Sequence, residues 1–453
     1  MRPHLAPTSL FALSLLACGE PPPPVTPPAP PPPVAAAPPP VASALPTATA
    51  APAPPPPPSG PPGKLNVLLL TIDSLRADMP WTGYPRDIAP NLSAFEKKAV
   101  SYSRAYAISS FTAMSVAGML AGRYPGEIER SGYFFSSYPD SVLMFPELLQ
   151  KAGVRTMAGH AHFYFDKQQA GFHQGFDAYE IVKGITKNNK TDENITSPQH
   201  LALAEKQLST VAAAQKSFFA WYHFMDPHDQ YMPHAGIGPY GKHSRDKYDA
   251  EVTFTDQHVG KLLDFVAAQP WAKDTAIIIS ADHGEAFGER KMWRHGFELY
   301  EMVVRVPLLV WAPGITPRRI DAPRSAIDLA PTILELTGAP PEPTFVGKSI
   351  VPELYGKDPD ARDVIVDLPR TSDNDRRRGL IRMPYKIIAW GDDLTFEFFD
   401  IAADPGETKD IKRENKAAFE EMKKLYRETV KKIPDRCPRH TEKLKGKGKH
   451  KRC

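Results

Sequence analysis

The sequence predicts an α/β protein built on a doubly wound, mostly parallel sheet flanked by helices, with a small α+β subdomain towards its C-terminal end. Three observations predict it. Two continuous apolar runs, in "KLNVLLLTIDSLRAD" and "DTAIIISADHGEAFGE", stop at acidic residues, as parallel strands buried on both faces do. Amphipathic helical patterns lie between and around them, in "SVLMFPELLQKAG", "LALAEKQLSTVAAAQ" and "YDAEVTFTDQHVGKLLDFVAAQ". Such alternation of buried strands and helices is the pattern of a doubly wound sheet. After about Gly347 the segments shorten to "DVIVDL", "GLIRMPYKIIAWG" and "LTFEFFDI", then "NKAAFEEMKKLYRETVKKI" reads as a helix. That order predicts a small antiparallel sheet with one packed helix.

The ends of the chain have a different character. "MRPHLAPTSLFALSLLACGE" places Arg2 before an apolar run that has the length of a secretory signal and is too short to span a bilayer. Its Leu15-Leu16-Ala17-Cys18 resembles the bacterial lipobox, which implies cleavage before Cys18 and a lipid on that thiol; an ordinary signal peptide is the plainer alternative. From Glu20 to Gly63 the chain is mostly proline and alanine and holds nearly half of its 50 prolines, so this segment can form no core. It reads as a polyproline-II tether of ~130 Å if fully extended. The expected organisation is a lipoprotein signal peptide at 1–18, a tether at 19–63, a catalytic domain at 64–346, a C-terminal subdomain at 347–433 and a basic tail at 434–453. Cys437 and Cys453 are left as an even pair, which an oxidising compartment would allow to bond or which could stay as two thiols. The expected location is a bacterial membrane, with the enzyme anchored through lipid on Cys18 and facing the periplasm or the cell surface.

With 453 residues, 42% of them hydrophobic, the chain can fill a sizeable core. Its net charge of +3 comes mostly from the terminal "RHTEKLKGKGKHKRC", so the body offers no basic face and nucleic acid is not expected as a partner.

In a doubly wound sheet, ligands gather beyond the carboxyl ends of the strands. Asp73, Asp282 and His283 stand there, and hard oxygen ligands with an imidazole suit Zn²⁺ or another divalent ion. Asp73 alone could equally cap a turn. The adjacent Asp282-His283-Gly284 is harder to explain as packing, because both groups are costly inside a sheet unless paired or metal-bound. Thr112 opens a helical segment, where it serves either as an N-cap or as a hydroxyl nucleophile, since a helix start favours an anionic substrate. The histidines fall in "GHAHF", "HFMDPHDQYMPH", "ADHGE" and "WRHGF", four loops that could share one mouth.

From about Leu65 to Ile433 the chain resembles the sulfatase branch of the alkaline phosphatase superfamily. Motifs in matching order include "NVLLLTIDSLRAD", "APNLSAFEKKAV", "LAGRYP", "GVRTMAGHAHF", "SADHGEAFGE" and "IDLAPTILELTGAP". The resemblance implies an α/β core, a smaller C-terminal subdomain and a metal between the nucleophile and the "DHG" loop. Three departures stand out. The cysteine or serine that the family oxidises to formylglycine is Thr112, its proline is Met114 and its arginine is Val116, so no formylglycine is expected. The lysine of the family's "GKWH" is His160, while the histidine two residues on is kept as His162. "TAMSVAGM" in turn is similar to the "TAxSVPCM" of lipid A phosphoethanolamine transferases, whose first threonine is the nucleophile. That second resemblance implies zinc held by Asp73, Thr112, Asp282 and His283, and matches His295-Gly296 and Pro227-His228-Asp229 to those enzymes' histidine motifs.

The resulting expectation is a metal-dependent hydrolase or transferase of phosphate-type esters. Thr112 attacks, Asp73, Thr112, Asp282 and His283 bind Zn²⁺ (with Ca²⁺ or Mn²⁺ as alternatives), and His228 and His295 hold ester oxygens or a second ion or protonate the leaving group. His160 and His162 are expected as further substrate contacts. The partner is an anionic ester, lipid- or glycan-linked. Two other functions remain open from sequence: a sulfuric ester hydrolase working without formylglycine, and a noncatalytic protein that binds anionic glycans or lipids.

Overall fold

The computed structural model describes residues 60–439 apart from 133–134, 168, 186–194, 212–216, 239 and 372–373. The expected signal peptide, the tether up to residue 59, and Cys18 and Cys453 lie outside the described residues. Cys437 is disulfide-bonded. Among the described residues no helix is long and apolar enough to cross a membrane.

Eight strands make the main sheet: β1 (Asn66–Ile72), β2 (Val100–Tyr102), β3 (Arg155–His160), β4 (Ala178–Ile181), β5 (Phe218–Phe224), β6 (Thr275–Ser280), β7 (Leu308–Trp311) and β8 (Arg318–Ile320). Their order is β8-β2-β7-β6-β1-β5-β3-β4. β1 runs parallel to both β5 and β6, and β3 runs parallel to β5 and β4. β7 is antiparallel to β6 and β2. The sheet is therefore mostly parallel, as the apolar runs predict.

Side-chain alternation along β1 explains why both faces are covered. Val67 and Leu69 enter one apolar cluster while Leu68, Leu70 and Ile72 enter another. The first cluster is closed by helices α2 (Thr112–Ala121), α3 (Phe145–Lys151) and α6 (Leu329–Thr337); the second by α1 (Pro90–Glu96), α4 (Ser197–Ser209) and α5 (Ser244–Ala267). α3 starts only at Phe145, four residues into the helical pattern read from sequence, because Pro146 sits in its first turn, where a missing N–H costs nothing.

The C-terminal part is the antiparallel sheet β9 (Val364–Leu368), β10 (Arg377–Arg382), β11 (Tyr385–Trp390) and β12 (Thr395–Asp400), with α7 (Lys416–Val430) packed on one face. Met422, Tyr426 and Val430 recur every four residues and form the buried stripe of α7. The other face of this sheet shares the main core, since Val364, Val366 and Leu368 join the cluster that holds α2 and α6.

A buried ion cluster ties the same sheet to the body. Lys386 Nζ lies 2.9 Å from Glu301 Oε1 and 2.9 Å from Glu407 Oε1, and Glu407 Oε2 accepts the Glu301 backbone N–H at 2.6 Å. One ammonium cannot compensate two buried carboxylates. Burial, reinforced by Glu301 and only partly offset by Lys386, pushes Glu407 up to about 7. A carboxyl whose folded pKa is raised adds stability that is full below its unfolded value and is lost as pH rises through the folded one. Glu407→Gln should therefore flatten the fall in stability between about pH 4.5 and about pH 7, relative to the parent. Urea denaturation at a series of pH values checks this, and two parallel curves would contradict it.

Candidate active site

Three neighbouring strands of the sheet deliver the polar groups to one edge. Asp73 follows β1, His223 is the penultimate residue of β5, and Asp282 and His283 follow β6 closely. Because β5, β1 and β6 are parallel neighbours, their carboxyl ends coincide. All four side chains are buried. Ligand atoms of Asp73, Asp282 and His283 lie within 4.8 Å of one another.

Thr112 meets this group from the start of α2. The N-cap is Phe111, in extended conformation, and the Thr112 side chain makes no cap; the capping role open from sequence is not used. Its Oγ1 instead lies 2.9 Å from His283 Nε2 and 3.4 Å from Asp73 Oδ2. His283 Nδ1 sits 3.0 Å from the Gly284 carbonyl, to which it donates, so Nε2 is left with its lone pair towards Thr112.

Gly284 is required for packing. Its N–H donates to the Val303 carbonyl at 3.0 Å, and a methyl group on it would lie 2.3 Å from the Met302 carbonyl oxygen. Gly284→Ala should lower stability by roughly 1–3 kcal/mol and reduce turnover by displacing His283. Urea unfolding together with steady-state kinetics measures both, and a stable, fully active variant would contradict the packing account.

The donor set fits a divalent cation. Asp282 Oδ2 is buried without a hydrogen-bond partner, 3.3 Å from His283 Nε2. Burial and the neighbouring Asp73 raise the Asp282 carboxyl above its ordinary range. Burial acts on Asp73 in the same sense, but His228, His223 and His283 hold it well below the usual carboxylate range. Two buried carboxyls side by side, one of them with an oxygen that has no hydrogen-bond partner, are what a cation would compensate.

His223 was not singled out from sequence. Its Nδ1 lies 2.7 Å from Thr71 Oγ1, which accepts from Trp221 Nε1 at 2.8 Å. Thr71 therefore donates to Nδ1, and Nε2 carries the proton it offers to Asp73 Oδ2 at 3.2 Å. Thr71 and His223 are paired in register across β1 and β5, so the contact follows once those strands are placed side by side.

A cavity of about 310 Å³ opens over Thr112 and is lined also by His162, His228 and His295. His295 Nδ1 lies 3.2 Å from Glu285 Oε1, and Tyr231 donates its hydroxyl to Glu285 Oε2 at 3.1 Å. Burial pushes the Glu285 carboxyl up, but the charge and hydrogen bond of His295 leave it below the ordinary value. Glu285 thus orients His295; neither Glu285 nor Tyr231 was identified from sequence. The His295 ring lies 4.1 Å from that of His283 and 5.1 Å from that of His228. His162 accepts the Tyr164 N–H at Nδ1, and burial lowers it to about 4, so it stands neutral.

His160 does not join this group. It pairs in register with His223 inside the sheet, is fully buried, stacks on Phe165 at 4.5 Å and meets Trp221 edge-on at 4.4 Å. It does not line the cavity, so the expected substrate contact is replaced by a place in the aromatic layer beneath the site.

Residues 65–339 match the model of the Sulfatase family, and residues 288–435 match that of the N-sulphoglucosamine sulphohydrolase C-terminal region. The choline-sulfatase of Rhizobium meliloti is 25% identical over 372 residues, covering 65% of this chain and 72% of its own. Among solved structures, the phosphonate monoester hydrolase of Silicibacter pomeroyi superposes with a TM-score of 0.67 at 19% identity, covering 82% of this chain and 96% of that one. A structure solved in complex with D-glucosamine-2-N,6-O-disulfate gives a TM-score of 0.67 at 20% identity, over 84% of this chain and 100% of that one. Fold and relatives together make this an enzyme of the alkaline-phosphatase-like superfamily. Within that class, the chain belongs to the sulfatase family.

Proposed function

We propose that this enzyme hydrolyses or transfers phosphate-type esters, with Thr112 as nucleophile. The observation that carries this is the position of the Thr112 hydroxyl, 2.9 Å from His283 Nε2 and 3.4 Å from Asp73 Oδ2, at the head of a helix and on the floor of a histidine-lined cavity. Asp73, Asp282 and His283 would hold a divalent ion, for which the imidazole beside hard oxygen ligands suits zinc, with Thr112 as a further ligand. Such an ion would polarise the ester and lower the pKa of the hydroxyl.

The chain supplies the rest. The start of α2 offers backbone N–H groups to the nonbridging oxygens. His162 and His228 line the same space and can bind those oxygens. Thr112 Oγ1, its proton released to solvent as the hydroxyl ionises, bonds to phosphorus while the bond to the leaving oxygen breaks, and His295, held at Nδ1 by Glu285, gives that oxygen a proton from Nε2. Water or an alcohol then opens the phosphothreonine by a second displacement. Membrane anchoring through lipid on Cys18, on the periplasmic or outer face, belongs to the same proposal.

A sulfate ester is the second reading, favoured by relatives such as the choline-sulfatase. The chemistry of Thr112 disfavours it: a threonine sulfate has no second hydroxyl on the same carbon through which to eliminate, and must be hydrolysed at sulfur. Matched aryl phosphate, phosphodiester and sulfate substrates, assayed with Zn²⁺, Mn²⁺ and Ca²⁺, separate the two. Phosphate-type turnover should exceed sulfate turnover by orders of magnitude, and the reverse order would overturn the proposal.

A further inference from the structure

His295 sits at the end of a hairpin that has little to hold it from within. Ala286-Phe287 pairs antiparallel with Trp293-Arg294, and a two-residue ladder is too short to be stable by itself. The backbone is also strained, since Arg290, Lys291 and Arg294 have φ of 51°, 63° and 66°. Non-glycine residues stay in the left-handed region only where their surroundings fix them. Arg294 immediately precedes His295, so relaxation there would turn His295 away from the cavity.

Arg76 supplies the fixing from outside. Its N–H donates to the Tyr248 hydroxyl at 2.9 Å, and Tyr248 donates in turn to the Ser74 carbonyl at 2.9 Å, so α5 pins the loop that follows β1. From that fixed backbone Arg76 Nη1 donates to the Glu285 carbonyl at 2.6 Å and to Glu289 Oε1 at 2.8 Å, while Nε donates to Asp78 Oδ1 at 2.9 Å. Glu289 Oε2 accepts the Phe287 N–H at 2.6 Å. Arg76 and Arg245 both lie over the Phe287 ring, each guanidinium carbon 5.6 Å from its centroid. One largely buried side chain thus grips the base of the hairpin at Glu285, Phe287 and Glu289. The tip is held separately: Arg290 donates to Glu397 Oε2 at 3.0 Å and lies 4.2 Å over the Tyr300 ring. Arg76 itself does not line the cavity over Thr112.

We infer that Arg76 is a positioning residue for the reaction: through the Glu285 carbonyl and Glu289 it holds the hairpin, and with it His295, at the mouth of the cavity. That His295 is the acid rests on the proposed function; that Arg76 sets its place rests on these contacts. The planar fork meets a carbonyl and two carboxylates at once, which an ammonium at the same place does not.

Two variants and two readouts test this. Arg76→Lys keeps the charge and loses the fork; Glu289→Gln, at a side chain 39% exposed, weakens the same grip from the other partner. In the full-length protein, hydrogen–deuterium exchange over residues 286–295 should rise at least about tenfold in Arg76→Lys, and less in Glu289→Gln, with β6 unchanged. With Zn²⁺, kcat for phenyl phosphate, whose leaving group needs a proton, should fall at least about tenfold, and for 2,4-dinitrophenyl phosphate, whose leaving group needs none, less than about threefold. A merely structural defect would lower both alike. Unchanged exchange in Arg76→Lys, or an equal fall for the two esters, would overturn the inference. Should Arg76→Lys not fold, Glu289→Gln decides by the same readouts. If the parent turns over neither ester, the proposed function fails, while exchange still decides whether Arg76 holds the hairpin.

Discussion

Thr112→Ala is expected to lower kcat by roughly three orders of magnitude or more, because it removes the atom that bonds to the transferred group. Thr112→Ser should retain a measurable part of the activity, since the hydroxyl stays within reach of His283 Nε2. Neither change should alter the fold. Residue 112 begins α2 but does not cap it, and the helix is held by nine buried residues that follow, Ala113 to Ala121. Steady-state kinetics on one aryl phosphate, with circular dichroism as a control, measures the effect. A Thr112→Ala enzyme with unchanged kcat would remove the nucleophile from the account.

Asp282→Asn should have opposite effects on function and on stability. The asparagine oxygen can still accept the His283 N–H that Asp282 Oδ1 accepts at 3.0 Å, so the turn is preserved. Its amide replaces Oδ2, which is buried and unpartnered, and can donate to neighbouring oxygens. In the metal-free protein the raised Asp282 carboxyl, disfavoured by burial and by Asp73, costs stability once pH exceeds its folded pKa. The variant should therefore be more stable than the parent at neutral pH without metal, by about 1 kcal/mol. It should also lose the gain that ligand binding gives the parent, about 2.7 kcal/mol at a metal concentration 100 times Kd. Metal content by mass spectrometry should fall close to zero and turnover with it. A variant that binds metal as the parent does would remove Asp282 from the ligand set.

The sheet was legible because its central strands are buried on both faces and cannot alternate. "VLLLTI" and "AIIIS" are strands in the structure, and Asp73 and Asp282 follow them at the edge where such sheets place ligands. The meeting of Asp73, Asp282, His283 and Thr112 depends on which strands are neighbours, and here the resemblance supplied what periodicity alone does not. His160 misled for a physical reason. It is the last residue of β3, in register with His223, so its ring stays in the aromatic layer, while His162, two residues beyond the strand, reaches the cavity. Glu285 and Tyr231 lie 54 residues apart and meet only through the folding of two loops, which leaves no local signal. His223 had a signal in "WYHF": strand alternation puts Trp221 and His223 on one face, and both bond to Thr71 there.

The central claim is that Thr112 carries the transferred group. Rapid-quench intact mass spectrometry of the metal-loaded enzyme, mixed with an excess of aryl phosphate ester, tests it most directly. A phosphoryl adduct should accumulate within the first turnover, map by peptide fragmentation to Thr112, and be absent from Thr112→Ala. An adduct on any other residue, or single-turnover product release with no adduct at any quench time, would contradict it.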